Sequence, residues 1–99
     1  MPTDPSFRMT IGDVFSIRGR GTVVIGCIER GTLKVGDTVE IKGQIGVKRT
    51  VVAGIEMFRR RIERVGVGDN VGVFLQNIGK DEVQRGDVLM GTQSDFDWG

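Results

Sequence analysis

Apolar and polar residues alternate along most of this chain in runs too short for helices. Phe7, Met9 and Ile11 stand at every second position with Arg8 and Thr10 between them, and Val39 and Ile41 alternate with Glu40 and Lys42 within Thr38 to Lys42. A period of two belongs to a strand with one buried face. Val14 to Ile17, Val71 to Leu75 and Val88 to Met90 are further strand candidates, rich in β-branched residues. Thr22 to Ile28 is almost wholly apolar, as expected of a strand buried on both faces or bent at Gly26. Arg49 to Phe58 is long enough to need a bulge, which Gly54 would supply. One segment competes for another class. In Met57 to Val65, Phe58, Ile62 and Val65 fall at i, i+4 and i+7, which reads as a short helix or a loop carrying one turn.

The punctuation between these runs is glycine. The chain has 16 Gly and 2 Pro, and both prolines lie in the first five residues. Gly-Asp recurs at Gly12-Asp13, Gly36-Asp37, Gly68-Asp69 and Gly86-Asp87, each time with Val one or two residues later. Each copy reads as a turn that needs a permissive backbone, followed by the first inward residue of a strand. Their unequal spacing excludes a solenoid. Six or seven short strands without a long helix predict an all-β sandwich or barrel, and a small closed barrel hides its sheet edges. The pattern divides the chain into an N-terminal arm (1–6), a barrel (7–91) and a C-terminal tail (92–99), with both ends expected to fray.

With 99 residues and 38% hydrophobic content, the chain suits one domain with one core. It holds a single cysteine and no histidine. An internal disulfide, a His-ligated zinc site and Ser–His chemistry are therefore excluded. Cys27 sits in an apolar run and is expected to be a small buried hydrophobe. The run Gly19-Arg20-Gly21-Thr22-Val23-Val24-Ile25-Gly26 invites a nucleotide reading that fails. The dinucleotide fingerprint needs glycine at Val24, and the phosphate loop needs Lys then Ser or Thr where Cys27 and Ile28 stand. Asp13, Glu56 and Asp69 form no visible acid–base set. The chain thus reads as a non-enzyme without a cofactor. Its apolar runs are too short to span a membrane, and Met1 to Pro5 lacks the features of a signal peptide. A soluble, cytoplasmic domain without membrane association is the expectation.

Charge adds one feature. Lys48, Arg49, Arg59, Arg60, Arg61 and Arg64 against Glu56 and Glu63 give the Lys48 to Arg64 segment a net +4, within a chain of net +1. Such a strip with Phe58 beside it suits phosphate contact and base stacking. It equally suits a solvated loop whose arginines keep the domain soluble. In the acidic tail Asp95-Phe96-Asp97-Trp98, Phe96 and Trp98 either fold back over a barrel end or stand as anchors for a partner.

Taken together, the motifs assemble in a familiar order. Arg20-Gly21-Thr22-Val23-Val24, Glu29-Arg30-Gly31, Lys34-Val35-Gly36-Asp37, Gly54-Ile55-Glu56-Met57-Phe58, Gly68-Asp69-Asn70-Val71-Gly72-Val73 and Arg85-Gly86-Asp87-Val88-Leu89 follow one another. From Phe7 to Met90 the chain closely resembles the second domain of bacterial elongation factor Tu, the β-barrel of translational GTPases. The resemblance implies a closed six-stranded Greek-key barrel that helps hold the aminoacylated 3′ end of transfer RNA. The chain looks like that barrel on its own, without the neighbouring GTPase domain and third barrel.

By motif position the resemblance implies that Glu56 stands beside the terminal adenosine and that Arg59 is a nearby basic contact. Asn70 would line the aminoacyl pocket, Asp13, Phe15 and Ile17 its rim and wall, and Phe74 a flanking apolar wall. Arg60, Arg61 and Arg64 would hold phosphates. Gly12 stands where the family usually has Glu, and Phe74 where it usually has Leu. The expected ligand is a transfer RNA 3′ end or ribosomal RNA. The alternative is a protein-interaction module that docks on a GTPase domain in trans, with Phe96 and Trp98 as anchors.

Overall fold

The computed structural model describes residues 4–44 and 46–92. Nearly all of them lie in strands: β1 (Arg8–Ile17), β2 (Gly21–Arg30), β3 (Thr32–Lys34), β4 (Thr38–Gly43), β5 (Gly46–Met57), β6 (Arg60–Arg61), β7 (Arg64–Gly66), β8 (Asn70–Leu75) and β9 (Val88–Gly91). One turn of 3-10 helix, Lys80–Glu82, precedes β9. Antiparallel pairing runs β4-β9-β1-β2-β8-β5, and β5 pairs again with β4. That last ladder closes six strands into a barrel with no free edge, so every main-chain row finds a partner. The chain lays β8 between β2 and β5, and β9 between β1 and β4, the crossings of a Greek key. β6 extends β5 as a small hairpin, and β3 with β7 forms a separate two-stranded ribbon.

The alternating residues fill the interior. Phe7, Met9, Ile11, Val24, Ile28, Leu33, Val39, Ile41, Val52, Ile55, Val73 and Leu89 are almost completely buried and belong to one cluster. Burial of these apolar side chains, each contributing roughly 1.5–3 kcal/mol, is the main force holding the ring closed.

Three of the four Gly-Asp pairs are the same turn. At Gly36, Gly68 and Gly86 φ is +94°, +90° and +91°, conformations that a side chain would strain. In each turn the aspartate carboxylate accepts the N–H three residues back: Lys34 to Asp37 at 2.9 Å, Gly66 to Asp69 at 2.9 Å and Gln84 to Asp87 at 3.0 Å. Each turn then clamps one residue of another strand. Gly36 donates to the Val52 carbonyl at 2.8 Å and the Asp37 carbonyl accepts from Val52 at 2.9 Å. Gly68 and Asp69 hold Ile28 in the same way, and Gly86 and Asp87 hold Ile11.

The fourth pair differs. Gly12 lies inside β1, where the register with β2 slips between Ile11 and Asp13. It is the extra residue of a bulge, and the two predicted segments of β1 are one strand. A bulge also falls in β5 between Val52 and Gly54, opposite Leu75 and Phe74 of β8. Met57 to Val65 is neither helix nor simple loop. Met57 pairs with Arg60 across a two-residue turn, Phe58-Arg59, whose φ values are +56° and +64°, and the chain continues into β7. The i, i+4, i+7 spacing arises because Ile62, in the link between β6 and β7, and Val65, in β7, both turn toward the core. Cys27 is exposed rather than buried. It pairs with Thr10 and Asn70, a register that turns its side chain away from the interior filled by its neighbour Ile28.

Candidate functional site

An apolar groove of about 580 Å³ crosses the outer face of β1, β2, β8 and the β5–β6 hairpin. Strand register builds it in two rows. Phe15, Val23, Phe74 and Gly54 stand opposite one another on successive strands, and so do Asp13, Ile25, Gly72 and Glu56. A glycine in each row leaves room for the concavity. A Cβ on Gly72 would meet Ile25 Cδ1 at 3.2 Å and Val23 Cγ2 at 3.3 Å, so any larger residue would displace the groove's own wall. Val23 and Phe74 are buried although they lie outside the inner cluster. The outer face therefore carries a second, smaller apolar layer.

Phe15 and Ile17 are part-exposed in this groove, at 47% and 38%, and Phe58 at its rim is 88% exposed. Apolar side chains left this open on one face mark a binding surface more often than a solvent face. The Phe58-Arg59 turn sharpens the point. Both residues adopt the left-handed conformation without being Gly or Asn, at a cost of order 1 kcal/mol or more each. The turn holds the ring and the guanidinium out from the hairpin tip.

Six residues singled out in the sequence line the groove together: Phe15, Ile17, Glu56, Arg59, Asn70 and Phe74. The others lie elsewhere. Asp13 is in register with the groove row, but it bonds the Val14 N–H at 3.0 Å and faces Arg85 at 3.5 Å. Arg60 is exposed on the hairpin and Arg64 on the β3–β7 ribbon. Arg61 faces an adjoining notch of about 230 Å³, lined also by Arg20, Val35, Ala53, Gly54, Glu63 and Phe74. Phe96 and Trp98 lie outside the described residues.

The basic strip divides in two. Lys48 and Arg49 reach Glu82 at 3.4 Å and Glu40 at 3.2 Å, so their charge is met locally. Arg59, Arg60, Arg61 and Arg64 have no ion-pair partner among the described residues. Of these four, Arg59 lines the groove and Arg61 the adjoining notch, while Arg60 and Arg64 stand exposed on the hairpin and the ribbon.

Sequence reasoning missed Arg20. It rises from the β1–β2 turn between Gly19 and Gly21, whose φ values are +81° and +93°. Its guanidinium lies over the Phe74 ring, 4.0 Å from the centroid, and meets Glu56 Oε2 at 2.8 Å. In the sequence Arg20 stands out only as part of a glycine-rich run and as the first residue of a family motif, and neither assigns it a contact. Among the described residues no cluster of carboxylates and thiol could hold a metal ion, and no helix is long and apolar enough to cross a membrane.

Comparison with known families agrees with this architecture. The family model for elongation factor Tu domain 2 matches residues 21–90, from the start of β2 to the penultimate residue of β9. The chain belongs to that family, the β-barrel module of translation factors.

Proposed function

With membership of the elongation factor Tu domain 2 family as the premise, we propose that this barrel binds the unpaired 3′ end of an RNA in a translation-related role. The observation that carries the reading is the convergence of Phe15, Ile17, Glu56, Arg59, Asn70 and Phe74 on one open groove. Its parts suit a single-stranded end. Phe15, Ile17 and Phe58 offer apolar surface to a base, and Asn70 offers an amide donor and acceptor. Arg59, Arg60, Arg61 and Arg64, without ion-pair partners among the described residues, supply phosphate contacts.

A salt series tests this reading. A short CCA-ended RNA should bind at low salt and weaken steeply as salt rises, because phosphate contacts release counterions. Replacing Arg60 and Arg64 with Ala should flatten that slope by about one to two counterions. Absence of binding at low salt, or binding indifferent to salt, would refute it. The second outcome would favour docking of an apolar protein partner, such as a GTPase domain in trans, on the same face.

A further inference from the structure

In this chain the ring expected to wall the base is covered. Phe74 is only 4% exposed, and the Arg20 guanidinium lies on its face. A base that approaches this end of the site therefore meets the guanidinium and not the phenyl ring. Arg20 is held from two directions, by Phe74 below and by the Glu56 carboxylate at its edge, yet its side chain remains 41% exposed. A guanidinium plane fixed in this way is a ready stacking surface for an aromatic base, because little freedom remains to be lost on binding.

We propose that the notch beside the groove is a second nucleotide subsite, in which an unpaired base stacks on the outer face of Arg20 and its phosphate meets Arg61. This rests on the RNA-end reading above and extends it from one nucleotide to two. Arg61 lines the same notch and has no ion-pair partner among the described residues. Gly54 contributes no side chain to the notch, and Val35 and Ala53 give it apolar flanks. Glu63 is the one acid lining it. Glu56 meets the charge of Arg20, so Arg61 is left to meet the phosphate, and Glu63 can accept from a base amino group. The two concavities share Phe74, so adjacent nucleotides of one strand can occupy both.

The experiment compares wild type with Arg20→Lys and Arg20→Ala, using a short single-stranded RNA that ends in adenosine and carries 2-aminopurine in place of the cytosine before it. Lysine keeps the charge and lacks the plane. Arg20 is on the surface, so both variants should keep the fold, which an amide spectrum checks. Wild type should bind and quench the 2-aminopurine fluorescence. Both variants should lose that quenching and bind at least about fivefold more weakly. If Arg20→Lys binds and quenches as wild type does, the stacking subsite is wrong while the RNA reading stands. Tighter binding by Arg20→Ala would make Arg20 a plug over Phe74 and also overturn the proposal. If wild type binds no RNA, both readings fall together.

Discussion

The Arg20 guanidinium lies over the Phe74 ring at 4.0 Å from its centroid, so two residues 54 positions apart close one end of the groove. The ring supplies a negatively polarised face and the cation covers apolar surface that would otherwise meet water. Phe74→Leu keeps an apolar side chain but removes the aromatic face. Its unfolding midpoint in urea should drop, corresponding to a loss of about 1 kcal/mol with an unchanged slope. An unchanged midpoint would mean that the contact contributes nothing.

The repeated Gly-Asp turn makes a graded prediction. Asp37 is 1% exposed and accepts from both the Lys34 N–H and the Lys34 ammonium, so Asp37→Ala removes a buried carboxylate with two bonds. The expected loss is about 2 kcal/mol in chemical unfolding. Asp69 makes the equivalent bond but is only half-buried, and water can replace it. Asp69→Ala should therefore cost less. Equal losses would contradict the argument from burial.

Gly26 and Gly36 should fail for different reasons when replaced by alanine. A Cβ on Gly26 would lie 2.5 Å from the Thr10 carbonyl oxygen, backbone that cannot step aside without disturbing the β1–β2 ladder. Gly26→Ala should lower stability by about 2 kcal/mol or more. A Cβ on Gly36 meets nothing within 4 Å, but φ there is +94°, so Gly36→Ala should cost only about 1 kcal/mol of backbone strain. Thermal unfolding of the two variants would show the order.

Acid should weaken the fold through surface carboxylates. Hydrogen bonding from Thr10, and then the bond and charge of Arg8, hold Glu29 below its ordinary value of 4.5. The Gly79 N–H, and then Lys48, do the same for Glu82. A carboxyl whose folded value is depressed contributes stability above its unfolded value and loses it as pH falls through the folded one. The unfolding midpoint should therefore hold between pH 7 and 5 and decline below about 4.5. In a Glu29→Gln, Glu82→Gln double variant that decline should be shallower. Both groups are exposed, so the difference should shrink at high salt.

Much of the barrel is legible in the sequence because its two devices are local. Alternation such as Phe7-Met9-Ile11 names the inward face, and Gly-Asp names a turn whose bonds close within three residues. What escapes needs the partner strand. Gly12-Asp13 has the composition of the turns, but β2 runs opposite it and makes it a bulge. Cys27 reads as buried until its register with Thr10 and Asn70 sets its face. The groove residues are individually visible through family motifs, and Arg20 opens one of those motifs, but its place beside the groove is not visible there. Its role depends on Phe74 and Glu56, which only the closed sheet brings to the same place. The basic segment divides electrostatically because Glu82 and Glu40 reach Lys48 and Arg49 from another turn and strand.

If the groove between β1 and the β5–β6 hairpin receives an RNA end, backbone amide shifts during titration with a short CCA-ended RNA will locate it. At low salt the largest changes should cluster at Phe15, Glu56, Arg59, Asn70 and Gly72, with the far wall around Glu40 and Lys42 unmoved. Shifts spread evenly over the surface, or none in the groove at saturating RNA, would contradict the account.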